Sequence, residues 1–116
     1  MKEFTHIPEK RDLAALQEYQ RQHDAVFHSD VFQMETWGQL RHVMQHLTMI
    51  VGEMARYCDR MEHRNTEAID LIRAIRENRI PDLLAYALKL SNLFDDSLEA
   101  TYLQRIQDGE VQRIKQ

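Results

Sequence analysis

Residues 37–63 read WGQLRHVMQHLTMIVGEMARYCDRMEH, and they carry the strongest structural signal in the chain. Apolar residues recur there in alternating steps of three and four over almost four heptads, the spacing of a helix that packs along its neighbours. The residues of this row are Trp37, Leu40, Met44, Leu47, Val51, Met54, Cys58 and Met61. The pattern predicts a long helix with this row as its packing seam, widened on one side by Val43, Ile50 and Tyr57.

Upstream of this helix, residues 8–27 also have helical periodicity. Pro8 suits the first position of a helix, where the missing N–H costs nothing. Residues 28–36 are polar without a clear period and indicate a connection. Thr36, at its end, is the expected N-cap of the long helix.

Downstream, residues 64–79 start with a polar run and predict a short helix capped by Asn65 or Thr66. Pro81 lacks a donor and clashes with the preceding turn of a helix. We therefore expect an interruption at that point and a new helix from Pro81 to about Phe94. The apolar residues of this new helix cover most of its circumference, which is typical of a buried helix.

The last helix is expected to begin with the capping-box pattern Asp96-Ser97-Leu98-Glu99, with Asp96 as the cap, and to weaken or end at Gly109. Only three glycines and two prolines interrupt the 116 residues. The sequence therefore predicts an all-α fold, a single domain over 1–116 with four to five helices.

Composition narrows the functional class. The net charge of −4 disfavours a dedicated nucleic-acid binder, which carries a basic excess. The single cysteine, Cys58, cannot form an internal disulfide and suggests a reducing compartment. No segment approaches the roughly 20 apolar residues that span a bilayer. The expectation is a soluble, cytoplasmic protein with no membrane partner.

The long helix has apolar residues on more than one side, because Met49 lies away from the predicted seam. Such a helix contacts neighbours in more than one direction. A second subunit can supply one of those contacts in a chain this short, and we expect a homo-oligomer, a dimer or a tetramer. A self-contained four-helix monomer is the alternative.

Two segments carry the functional signal. Residues 46–56 read HLTMIVGEMAR and residues 80–90 read IPDLLAYALKL. Together they resemble the MazG-like, all-α nucleotide pyrophosphohydrolases, whose helices present an E-E-x-x-E motif and then an E-x-x-D motif. The resemblance extends over roughly residues 37–108. It implies a helical bundle of the MazG-like type that is completed by homo-oligomerisation.

Only the last acid of each motif is present, as Glu53 and Asp82. The positions of the other acids are taken by Met49, Ile50, Asn78 and Arg79. Carboxylates in this arrangement hold Mg²⁺, which prefers octahedral oxygen coordination completed by water and phosphate. The incomplete set raises the question of whether hydrolysis is retained, since Arg79 brings a cation to a metal's position.

The resemblance implies hydrolysis of nucleoside triphosphates to the monophosphate and pyrophosphate. Glu53 and Asp82 would bind Mg²⁺, or Mn²⁺, Arg105 would meet phosphate, and Trp37 would border the base. The alternative is a catalytically inactive oligomeric binding or regulatory module of the same fold. A helical adaptor unrelated to nucleotides is a third reading of the chain.

The residues also allow other interpretations. His42 and His46 are four apart and share a helix face with Glu53, so they are candidate accessory ligands of a transition metal. Cys58 lies on the seam, where burial would make it inert. Trp37 is equally an anchor of the core or of an interface.

The two acids have structural explanations as well. Glu53 can pair with Arg56 or Arg60 on its own helix. Asp82 follows Pro81 in a first helical turn, where the helix dipole favours an acid in any protein. Neither explanation requires a metal.

Overall fold

The structure, a computed structural model, describes residues 7–63 and 67–115, with side chains as far as residue 113. These ranges contain helices and no strand, which confirms the all-α prediction. The caps predicted at Asn65 and Thr66 lie outside the described residues. The helices are α1 (Leu13–Phe27), α2 (Ser29–Phe32), α3 (Thr36–Glu62), α4 (Ala68–Ala74), a π segment (Ile75–Arg79), α5 (Ile80–Leu93) and α6 (Leu98–Lys115).

Helix α5 is the central element of the fold, because it packs against α1, α3 and α6. Helices α3 and α5 run antiparallel, because Glu53 meets Arg79 whereas His46, earlier in α3, meets Tyr86, later in α5. No helix in the described part of the chain has the length and hydropathy needed to cross a membrane.

Helix α1 begins at Leu13, five residues later than Pro8. The reason is a side-chain cap: Asp12 Oδ1 accepts a hydrogen bond from the Ala15 N–H at 2.8 Å. An aspartate at this position satisfies a donor that the first turn would otherwise leave unpaired.

The predicted connection over residues 28–36 contains one short helix, Ser29–Phe32. Thr36 is the first residue of α3, and Glu35 is its N-cap without a side-chain hydrogen bond. The predicted N-cap at Thr36 was therefore wrong by one position, although the helix bounds agree with the prediction within one residue.

The buried side of α3 is one edge of the predicted seam, the edge that Val43 and Ile50 were expected to widen. Val43 and Ile50 are each only 5% exposed, whereas Trp37 is 67% and Val51 62% exposed. Cys58 is also exposed, so its expected burial was wrong. The physical reason is that α5 covers the edge of the apolar arc that carries Val43 and Ile50, whereas Val51 lies about 100° further around the helix from Ile50.

Pro81 does not separate two helices. The chain stays helical through residues 68–93, and the turn before Pro81 widens into the π segment, where the Ile80 N–H donates to the Ile75 carbonyl. An extra residue in one turn is a known way to accommodate a local break in the helical ladder. The predicted interruption was therefore wrong.

The prediction that residues 81–94 form a buried helix holds only in part. Leu88 is buried against its neighbours, but Leu83, Leu84 and Phe94 are exposed. Helices α1, α3 and α6 leave one side of α5 open in the single chain.

The turn between α5 and α6 is closed by two backbone hydrogen bonds. The Asp96 N–H donates to the Ser91 carbonyl at 2.9 Å, and the Asp95 N–H donates to the Asn92 carbonyl at 3.2 Å. Asp95 has a φ of 52°, the left-handed conformation that this helix ending requires.

Helix α6 is capped by Ser97 rather than by the predicted Asp96. The Ala100 N–H donates to Ser97 Oγ at 3.2 Å. The helix then continues through Gly109 to Lys115, so of the two predicted outcomes at Gly109, weakening or ending, the ending was wrong. One glycine costs a helix only about 1 kcal/mol, which the surrounding turns can absorb.

Candidate functional site

Glu53 and Asp82 come together around one guanidinium group. Arg79 Nη2 lies 2.6 Å from Glu53 Oε2, and Arg79 Nη1 lies 3.4 Å from Asp82 Oδ2. Glu53 and Arg79 are largely shielded from solvent, whereas Asp82 is more open. The cluster formed by these three residues is called the acid–arginine cluster below.

Each member is positioned by a different piece of helix. Glu53 lies on the side of α3 that faces the central helix, Arg79 is the last residue of the π segment, and Asp82 is in the first turn of α5. Residues three apart share a helix face, so Arg79 and Asp82 point in the same direction. The partner of Glu53 is thus Arg79 and not an arginine of its own helix.

The phenol of Tyr57 completes the surroundings of the cluster. Hydrogen bonding to Tyr57 is the largest effect that raises the pKa of Arg79 above its ordinary value; burial opposes it, and attraction to Glu53 and Asp82 raises the pKa further. Arg79 is therefore a permanent cation. Its charge is shared between the two carboxylates that the sequence predicts as metal ligands.

The chain matches no protein-family model, no curated protein and no solved structure.

The candidate accessory histidines form a separate group on α3. The rings of His42 and His46 meet edge to face with centroids 4.5 Å apart, and His46 stacks on Tyr86 at 5.7 Å. Burial lowers the pKa of His46, and the neighbouring His42 and Lys89 lower it further. His46 lies two helical turns, about 10 Å along the axis, from Glu53.

Trp37 and Arg105, the expected substrate-binding residues, lie apart from the acid–arginine cluster. Trp37 is in the first turn of α3, about 24 Å along the helix axis from Glu53 at 1.5 Å per residue. Arg105 is exposed on α6, which packs against α1 and α5. Within residues 7–63 and 67–113, no hydrogen bond or ion pair joins either residue to the cluster.

A cavity of about 270 Å³ opens where α1, α2, α3 and α5 meet. Its lining includes Asp24, His28, Phe32, His42 and Lys89. Its wall combines polar and apolar side chains, as pockets that bind small molecules do. This cavity lies towards the start of α3, away from the acid–arginine cluster.

Asp24 is the buried acid of this region. It accepts a hydrogen bond from Gln20 Nε2 at 3.0 Å, and Lys89 Nζ lies 3.5 Å from its Oδ1. Of the described residues, only His23, Asp24 and His28 bring three potential metal-ligand atoms within 4.8 Å of one another. A zinc ion would need the three ligand atoms at about 2 Å from it. The Asp24 carboxylate already pairs with the Lys89 ammonium, so binding zinc would mean breaking that ion pair.

Sequence reasoning did not single out Asp24. The sequence did contain a signal: Asp24 is an acid on the same face of the first helix as Gln20 and Phe27. Its cation, Lys89, is 65 positions further along the chain. A pair so distant in sequence becomes visible only when α1 packs on α5.

Proposed function

We propose that this protein is a non-catalytic, self-associating helical module of the MazG-like type, in which Arg79 serves in place of a metal ion between Glu53 and Asp82. The observation that carries the proposal is the pair of contacts from one guanidinium to both acids, at 2.6 and 3.4 Å. A catalytic site would need those carboxylates for Mg²⁺.

Charge supports this proposal. A divalent cation between Glu53 and Asp82 would lie within a few ångströms of the Arg79 guanidinium, and two like charges at that range repel. Arg79 has no neutral form to relieve the repulsion, because its pKa is raised. The metal would have to displace the side chain from both acids and from Tyr57.

The number of ligands supports it as well. Mg²⁺ wants six oxygen ligands in near-octahedral geometry. At the positions where the resemblance expects further acids, Met49 is an exposed thioether and Ile50 is a buried hydrocarbon. Neither side chain offers an oxygen, and Asn78 offers only a neutral amide oxygen, so water and phosphate would have to supply most of the remaining ligands.

The proposed role is therefore binding and assembly. The acid–arginine cluster joins α3 to the π segment and α5, and it holds the helices in register. The partner that we propose first is a second copy of the chain, as the sequence predicts. Mg²⁺, Mn²⁺ and nucleoside triphosphates are not expected to bind at Glu53 and Asp82.

The direct test is release of pyrophosphate from a panel of nucleoside triphosphates with Mg²⁺ or Mn²⁺. We expect no turnover from the wild-type chain and the same background from Glu53→Ala. Turnover by the wild type that Glu53→Ala abolishes would overturn the proposal and establish the hydrolase.

A gain-of-binding variant tests the role of Arg79. The change Arg79→Glu removes the cation and restores an acid three residues before Asp82, so we expect Mn²⁺ to bind with at least about tenfold higher affinity than to the wild type. Titration followed by electron paramagnetic resonance measures this. Arg76→Glu, an equal charge change at an exposed position of the same π segment, is the matched control. Equal Mn²⁺ affinity in all three proteins would contradict the assignment.

A metal-dependent hydrolase is the second candidate, and one observation favours it. Glu53 and Asp82, although 29 positions apart, approach the same group, as two ligands of one metal must. In that case Arg79 would have to move away when a metal–nucleotide complex binds. The pyrophosphate assay separates the two candidates.

A further inference from the structure

The end of α1 brings three potential metal ligands to one point of the fold. His23, Asp24 and His28 offer two imidazole nitrogens and a carboxylate oxygen that all lie within 4.8 Å of one another. His23 Nδ1 is 3.7 Å from Asp24 Oδ1, and the rings of His23 and His28 have centroids 5.6 Å apart. Ligand atoms around a tetrahedral zinc ion lie about 3.4 Å apart, so rotations of the side chains are enough to bring all three to one ion.

The turn between α1 and α2 produces this arrangement. His28 is the C-cap of α1, with φ −130° and ψ 40°, and its N–H donates to the Asp24 carbonyl at 2.9 Å. On a continuous α-helix, residues five apart such as His23 and His28 would point about 140° away from each other. Because the helix ends at His28, the two rings meet instead.

We propose that His23, Asp24 and His28 form a binding site for one Zn²⁺ ion. Two imidazoles and one carboxylate suit zinc, whereas Mg²⁺ and Ca²⁺ take oxygen ligands. Asp24 and His28 also line the cavity of about 270 Å³, so the ion would lie at the wall of this cavity. Three protein ligands with a fourth position left for water or a small ligand is a common arrangement for zinc.

The Asp24 carboxylate is oriented as a metal-binding carboxylate usually is. It is only 9% exposed, and Gln20 Nε2 donates to its Oδ1 at 3.0 Å. Metal-binding carboxylates are commonly fixed by such an outer hydrogen bond. Among the described residues, the contacts from Gln20, His23 and Lys89 all go to Oδ1, which leaves Oδ2 for the ion.

Lys89 is the cation that zinc would have to displace. Its Nζ lies 3.5 Å from Asp24 Oδ1, further than the roughly 2.8 Å of a strong charge-assisted hydrogen bond. The same ammonium lies 5.1 Å from the centre of the Tyr86 ring, within the range of a cation–π contact, so it keeps a partner when it leaves the acid. Arg79, by contrast, contacts two acids at once. A metal ion therefore displaces Lys89 more readily than Arg79.

The first test is zinc binding to the untagged chain, measured by isothermal titration calorimetry. We expect one ion per chain, and we expect His28→Ala to weaken binding by at least about 100-fold, because loss of even an outer partner of a metal ligand costs about 10–100-fold. His28 is exposed, so its replacement should leave the helices intact, which circular dichroism checks.

His63→Ala is the matched control for His28→Ala. It removes another exposed imidazole that lies beside an acid, with His63 Nδ1 3.3 Å from Asp59 Oδ1, and it should bind zinc as the wild type does.

Three outcomes of this test would overturn the proposal. One is a wild type that binds no zinc at about 100 μM, since three converging protein ligands give a far lower dissociation constant. Another is equal affinity of the wild type and His28→Ala. The third is a loss of affinity in His42→Ala without a loss in His28→Ala, which would place the ion on the histidine pair of α3.

The second test is Lys89→Met, which removes the competing cation. We expect zinc to bind at least about tenfold more tightly than to the wild type, because a like charge next to the ion is gone. Arg21→Met is the control, since Arg21 also lines the cavity but pairs with Glu18, and it should increase the affinity much less. Unchanged affinity in Lys89→Met would show that zinc does not bind at Asp24 and would overturn the proposal. Neither test involves the acid–arginine cluster, so the outcome is independent of the proposed function.

Discussion

At Asp95 the chain adopts a left-handed backbone, with a φ of 52°. Asp tolerates this conformation better than most residues, but glycine adopts it without a steric cost. We expect Asp95→Gly to raise the free energy of unfolding by about 0.5–1 kcal/mol, measured by urea denaturation. Asp96→Gly, at the next position without a positive φ, should give no gain. Equal effects of the two changes would contradict this reading of the turn.

The lowered pKa of His46 allows a prediction of how the stability of the fold responds to pH. Its folded-state pKa is lowered, chiefly by burial, so the unfolded chain binds the proton more tightly. The contribution of His46 to stability is therefore complete above the unfolded-state pKa of about 6.5 and is lost as pH falls through the folded-state value. Thermal melts at pH 8 and pH 5 should show a smaller decrease for His46→Gln than for the wild type.

His63→Gln is the control for that measurement, because His63 is exposed at the end of α3. Its melting temperature should follow the wild-type dependence on pH. A wild-type decrease that His46→Gln leaves unchanged would show that other groups cause it.

Part of the candidate site was predicted through a family resemblance. The resemblance pointed to Glu53 and Asp82 and placed Arg79 at the position of an acid. The sequence could not show that Arg79 turns between those acids, since that orientation depends on the π segment and on how α3 packs against α5. Asp24 and Lys89 escaped notice for the same reason, as packing alone brings them together.

At the scale of elements, the extent of a helix was easier to predict than its buried side. The predicted helix over residues 37–63 and the observed Thr36–Glu62 differ by one residue at each end. The predicted seam and the buried side differ, because the apolar residues from Tyr57 to Trp37 spread over about 160° of the helix at about 100° per residue. One neighbouring helix covers only part of such an arc.

Gln17 connects α1 to the turn between α5 and α6. Its Oε1 accepts from the Leu98 N–H at 3.1 Å, its Nε2 donates to the Asp96 carbonyl, and its own carbonyl accepts from Asn92 Nδ2 at 3.0 Å. We expect Gln17→Ala to lower the free energy of unfolding by about 1–2 kcal/mol, because it removes two side-chain hydrogen bonds to backbone groups.

Gln22→Ala is the matched control on the same helix, since the Gln22 side chain is exposed and bonds only to Glu18 of α1. It should change the unfolding free energy by less than about 0.5 kcal/mol. Equal losses in the two variants, measured by urea denaturation, would show that Gln17 does not hold the turn.

At the scale of the whole molecule, the proposed self-association would link folding to assembly. If dimerisation completes the core, the melting temperature must rise with protein concentration. We expect an increase of about 5 °C for a hundredfold increase in concentration, from the entropy of unfolding of two chains of this length. A wild-type melting temperature that does not change with concentration would exclude coupling between folding and assembly.

Local patterns in the amino-acid sequence were sufficient for the all-α class and for the bounds of α3, whereas the choice of Glu53 and Asp82 came from a family resemblance and stays a prediction. Helix formation depends on neighbours three and four residues apart, and those are present in the sequence. Tertiary packing set which side of α3 is buried, where Pro81 is accommodated and what lies between the two acids. Those features depend on contacts between segments tens of residues apart, where an apolar residue can face a core or a partner and an arginine can face solvent or a carboxylate.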